Sequence, residues 1–149
     1  MFSDDRQTHR RVFIEAWRKA GAGEPLQPLE TQIVELLRLH PEYHDHLRDP
    51  DGVLDRDWLP AQGETNPFLH LGLHLTVLEQ TGLDRPPGIR KLYRQLIETT
   101  GDVHAADHRV MECLAEALWR ITRDGKPFNE KAYLKCVKRS GGGTRRRDP

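Results

Sequence analysis

Eight histidines stand in this sequence, at positions 9, 40, 44, 46, 70, 74, 104 and 108, and three pairs of them lie four residues apart: His40/His44, His70/His74 and His104/His108. Chance placement of eight histidines in a chain of this length gives about 0.4 such pairs, so the spacing is a signal. On a helix, residues i and i+4 share a face, with Cβ atoms about 5–6 Å apart. Two imidazoles so placed can reach one metal ion, as in the zinc-binding HExxH helix. That motif itself is absent, because Leu71 stands where its glutamate would be, and the zinc-protease reading falls with it. Two His-x3-His helices side by side would offer four imidazoles to one ion, in the way that helix-bundle metal sites are built.

The expected ligands are His70, His74, His104 and His108, with Glu112 as an auxiliary, because Glu112 extends the second stripe by one more turn. It would ligate, or accept a hydrogen bond from a ligand imidazole. Asp107 and Glu79 are less well aligned. A set of nitrogens with one carboxylate suits zinc or non-haem iron ahead of manganese. His40/His44 is a weaker pair, because Pro41 interrupts a helix between them. His9 and His46 read as surface residues. A second account stands beside the metal: buried histidines also hydrogen-bond carboxylates and carbonyls, and an unmet buried imidazole costs about 1–3 kcal/mol. Spacing alone leaves both open.

The elements that carry these residues follow from apolar periodicity and punctuation. Ser3 or Asp4 caps a first helix to about Ala20, with Val12, Phe13, Ala16 and Trp17 at helical spacing. Pro28 to Leu39 forms a second, with Leu29, Ile33, Leu36 and Leu37 on one face, stopped by Pro41. A short turn or helix follows to Leu47, and Asp49-Pro50-Asp51-Gly52 reads as a turn. Residues 55–65 read as irregular, anchored by Trp58 and Leu59. Asn66 and Pro67 start a helix to about Thr81, ended at Gly82 and apolar nearly all round, hence central and buried. Pro86-Pro87 opens a helix to about Thr99, Asp102 caps one to about Arg123, and Asn129 caps a short one to Arg139. The reading is an all-α compact bundle of five to six helices in one domain, residues 1–139, with a disordered Gly/Arg tail at 140–149.

Bulk properties narrow the function classes. The 149 residues suit one domain with a real core. Lys plus Arg and Asp plus Glu number 23 each, so net charge is zero. That argues against a dedicated nucleic-acid binder and against an anionic-membrane binder. Cys113 and Cys136 form no CxxC pair; each reads as a small core residue in a reducing compartment. The charged start MFSDDRQTHRR has no apolar signal region, and the cytoplasm is the expected location. Arg85 and Arg90 enter a helix and could clamp an anion, salt bridging to a nearby acid being the simpler use. No phosphate loop, nucleotide cofactor motif or serine triad is present.

Four segments carry a resemblance: MFSDDRQTHRRVFIEAWRK, HPEYH, TNPFLHLGLH and HRVMECLAEALW. Together they are similar to a bacterial, mostly proteobacterial, family of small proteins known only as a domain of unknown function, over about residues 1–138. The resemblance implies a compact bacterial cytoplasmic protein and brings no activity, cofactor or site residue. The residues therefore carry the functional reading: a helical protein binding a transition metal through paired His-x3-His motifs, and in one version a metal-dependent enzyme. The alternative is a non-catalytic adaptor with an apolar face for an unknown protein partner and structural histidines. A third is an anion or RNA contact through Arg85, Arg90 and the tail.

Overall fold

A computed structural model describes residues 2–54, 56–58 and 66–147. Among them are eight α-helices, one 3-10 turn and no strand: α1 (Phe2–Ala22), α2 (Pro28–Arg38), the 3-10 turn (Pro41–Tyr43), α3 (His44–Arg48), α4 (Pro50–Val53), α5 (Pro67–Leu83), α6 (Ile89–Thr100), α7 (Val103–Asp124) and α8 (Glu130–Arg147). The all-α expectation holds, and the count of five to six does not. The six long helices lie where periodicity puts them. The extra two, α3 and α4, are single-turn elements of five and four residues: α3 falls on the stretch read as a short turn or helix, and α4 on the stretch Asp49-Pro50-Asp51-Gly52 read as a turn. The chain divides into two compact units, Met1–Gly72 and Leu73–Pro149.

In the first unit, α1 packs on α2. Phe13 and Ala16 from α1 and Ile33, Val34, Leu36 and Leu37 from α2 are buried, and Lys19 meets Glu30 at 3.0 Å across the pair. Val12 and Leu29, expected inside, are 40% and 49% exposed. The start of α2 is a capping box, in which Glu30 Oε1 accepts the Gln27 backbone N–H at 2.8 Å. Arg10 is buried, and its Nη1 reaches the carbonyls of Val53, Leu54 and Arg56 at 2.7, 3.1 and 2.9 Å. Trp58 anchors this stretch as expected, with the Arg10 guanidinium over its ring. Leu59 lies outside the described residues.

In the second unit α6, α7 and α8 pack on one another. Val77, Ile89, Leu96, Val110, Leu114, Tyr133 and Val137 form the core. Three capping expectations hold at atomic detail, whereas α1 already begins at Phe2, so that Ser3 and Asp4 lie inside it and do not cap it. Asn66 Oδ1 accepts from the Phe68 and Leu69 N–H groups, Asp102 Oδ2 from Ala105, and Asn129 Oδ1 from Ala132. Gly101 and Gly125 close α6 and α7 at φ 75° and 66°. Gly82 does not end α5. The helix continues to Leu83, and Asp84 takes the left-handed turn at φ 55°, its carboxylate accepting from the Gly88 and Arg90 N–H groups. Arg90 donates to the Thr81 and Gly82 carbonyls at the end of α5.

Three further expectations change. The helix α5 is not buried all round: Phe68, Leu71, His74 and Val77 form a buried stripe, while Leu69, Thr76 and Glu79 are exposed. Cys113 and Cys136 are not separate thiols but a disulfide between α7 and α8, with Cα atoms 5.8 Å apart. Their separation of 23 residues hides the pairing from any local motif, and the bond removes the cysteine argument for a reducing compartment. The last helix also continues to Arg147, through residues whose composition reads as a disordered tail.

Candidate metal centre

The second unit brings three of the expected ligands together. His74 comes from α5, and His104 and His108 are one turn apart on α7. His74 is fully buried, in line with the apolar stripe that it shares with Leu71 and Val77. His104 and His108 are half-buried. One ring nitrogen of each lies within 4.8 Å of those of the other two, and the His74 and His108 Nε2 atoms are 3.2 Å apart. The rings are close throughout, with centroids 5.3 Å apart for His74–His104, 5.1 Å for His74–His108 and 4.2 Å for His104–His108.

Two chemistries produce a 3.2 Å separation between imidazole nitrogens. In one, a protonated nitrogen donates to a bare one. In the other, two bare nitrogens face a cation. A tetrahedral ion with bonds of about 2.0–2.1 Å sets its ligand nitrogens about 3.3 Å apart, so the observed pair already has the right edge.

A polar pair of one buried and one half-buried residue flanks the cluster. Asp107, one turn beyond His104 on α7, accepts the Tyr93 hydroxyl from α6 at 2.6 Å. Burial pushes the Asp107 carboxyl up, while the Tyr93 hydrogen bond and the nearby His104 charge pull it back. Burial, followed by the Asp107 hydrogen bond and charge, pushes the Tyr93 phenol far above its usual range. An acid in this position can orient a ligand imidazole and raise its basicity.

The first unit holds a histidine pair of its own. His40 Nδ1 donates to the Leu36 carbonyl at 2.8 Å, because a carbonyl can only accept. His70 Nε2 lies 3.1 Å from His40 Nε2. His40 also stacks on Tyr43 at 5.3 Å. The His40/His44 pair does not converge. His44 Nε2 donates to the Leu37 carbonyl at 2.6 Å and its ring packs on Trp17. Pro41 is the reason, since it ends the helix and starts the 3-10 turn between them.

The family model described as Domain of unknown function (DUF1841) matches residues 5–139. The chain belongs to the DUF1841 family. The matched DUF1841 segment takes in all of the histidines described above and both cysteines, and leaves out the last ten residues. No curated protein matches the chain, and no solved structure matches it. Among the described residues no helix is long and apolar enough to cross a membrane.

Measured against the expected set, the structure places His74, His104 and His108 in one cluster and His70 beside His40. Glu112 is exposed and outside the cluster. Periodicity explains its placement: at about 100° per residue each four-residue step turns the stripe by about 40°, so Glu112 stands about 80° round from His104, and Met111 and Leu114 take the buried positions there. The sequence reading sets Asp107 aside as less well aligned and gives no part to Tyr93. The three-residue spacing from His104 to Asp107 was the available signal, whereas Tyr93 needs the packing of α6 on α7.

Proposed function

We propose that this DUF1841 protein binds a transition metal ion through His74, His104 and His108. The observation that carries the reading is the convergence of three imidazole nitrogens from two helices, one of them fully buried, within 4.8 Å. An all-nitrogen set suits zinc or non-haem iron ahead of manganese. Catalysis at such an ion would require a coordination position open to water or a substrate. Metal analysis of untagged protein, wild type beside His74→Ala/His104→Ala, tests the metal reading. The expected result is about one equivalent of metal in the wild type and loss in the variant with helicity retained. Wild-type protein that takes up no zinc, iron or manganese on titration overturns it.

One observation favours a second reading, an adaptor with structural histidines. The 3.2 Å contact between His74 and His108 is also a hydrogen-bond length, and α7 exposes Leu118 and Trp119 at 41% and 56%. Metal-free protein of unchanged stability would support this reading against the first.

A further inference from the structure

The Cys113–Cys136 disulfide lines an open groove of about 710 Å³ between α7 and α8. Five cations line the same groove, Arg120, Arg123, Lys126, Lys135 and Arg139, against two carboxylates, Glu116 and Asp124. Both carboxylates are engaged within the lining: Glu116 holds Arg120 at 3.1 Å and Asp124 holds Arg123 at 2.8 Å. Lys126, Lys135 and Arg139, all exposed, remain as the net positive charge around the bond. The two sulfurs are unequally reachable. Cys113 is 3% exposed, whereas Cys136 is only half-buried.

We propose that Cys113–Cys136 is a thiol–disulfide exchange site for a small, carboxylate-bearing thiol of the glutathione class. Exchange needs a thiolate with access to one sulfur and a second sulfur able to leave. The basic groove concentrates an anionic thiol by its field, and the difference in burial directs attack to Cys136. The incoming thiolate forms a bond to Cys136 Sγ as the Cys136–Cys113 bond breaks, and Cys113 departs with the electron pair as a thiolate. Ser140 stands ready for that charge. Its hydroxyl donates to the Cys136 carbonyl at 2.9 Å, and its oxygen lies 3.5 Å from Cys113 Sγ, so rotation about one bond turns the hydrogen toward the sulfur. A second small thiolate then attacks the sulfur of the first, releasing the small disulfide and the Cys136 thiolate. Water protonates both cysteines. In the net reaction, two thiols are oxidised to one disulfide and the protein disulfide is reduced by two electrons.

The test treats the full-length oxidised protein with reduced glutathione, 2-mercaptoethanol or cysteamine at matched thiolate concentration, followed by acid quenching and peptide mass mapping. The expected result is a mixed disulfide on Cys136, formed at least about tenfold faster by glutathione than by cationic cysteamine at low salt. That ratio should fall toward one in about 0.5 M salt. Lys126→Glu/Lys135→Glu alters only exposed side chains and should abolish the preference while leaving the 2-mercaptoethanol rate unchanged. Equal rates for the anionic and cationic thiols overturn the proposal. So do adducts on Cys113 alone, reduction only after denaturant is added, and free thiols in protein purified without reductant.

Discussion

His74 Nε2 on α5 and His108 Nε2 on α7 stand 3.2 Å apart, close to the edge of a tetrahedral metal site. A hydrogen bond between the rings and a shared ion are separable by spectroscopy. Cobalt(II) added to metal-free protein should give the intense visible bands of a tetrahedral nitrogen site, and His74→Ala should lose them. Ligand imidazoles must be neutral, so the bands should be lost in acid. A pale spectrum identical to that of free cobalt would leave the hydrogen bond as the account of this pair.

The Tyr93–Asp107 pair gives a second test. Asp107→Asn keeps an acceptor for the Tyr93 hydroxyl but removes the negative charge that His104 feels. If the acid supports the ligand set, metal affinity should fall about 10–100-fold with little change in helicity. Tyr93→Phe strips a buried carboxylate of its donor and should cost about 1–3 kcal/mol of stability. Competition with a chelator measures the first effect and urea unfolding the second. Unchanged affinity in Asp107→Asn would confine the pair to a structural role.

How far these features were legible depends on the range of the interaction behind them. Asn66, Asp102 and Asn129 cap helices through bonds two or three residues away, so residue type and position suffice. His104 and His108 are likewise local, and their shared face is helical arithmetic. The His40–His70 contact joins residues 30 apart and the disulfide residues 23 apart, and no local pattern encodes either. Gly82 misled because glycine commonly ends helices. Here the left-handed turn falls to Asp84, whose side chain accepts two backbone hydrogens ahead of α6, a compensation visible only once the turn is built. Glu112 stands off the buried face because two four-residue steps from His104 carry it about 80° round the helix.

Arg10 is the buried charge on which the end of α4 depends. Its guanidinium serves the carbonyls of Val53, Leu54 and Arg56 and lies over the rings of Trp58 and Phe68 at 5.1 and 5.2 Å. Arg10→Met keeps much of the apolar stem and removes every donor. The carbonyls then lose a charged partner in a buried setting, and the expected cost is about 3 kcal/mol. Arg10→Lys should recover part of it, because one ammonium cannot reproduce the planar fork. Hydrogen exchange should report the loss first in residues 53–58. A variant within about 0.5 kcal/mol of wild type, the range of ordinary surface changes, would remove Arg10 from this role.

Glu30 ties the first unit's stability to pH. It accepts from the Gln27 N–H and from Lys19, and these contacts, the Gln27 bond foremost, hold its carboxyl below the usual value of 4.5. A carboxylate whose pKa is lowered on folding adds stability that is complete above its unfolded value and is lost as pH falls through its folded value. Glu30→Gln preserves a capping acceptor for Gln27 but abolishes the charge facing Lys19. The variant should therefore melt below the wild type at pH 7, and the two melting temperatures should converge as pH falls from 4.5 downward. Thermal melts followed by circular dichroism between neutral and strongly acidic pH would show this. A gap that stays constant across the whole range would mean that Glu30 acts through packing and hydrogen bonding, with no part played by its ionisation.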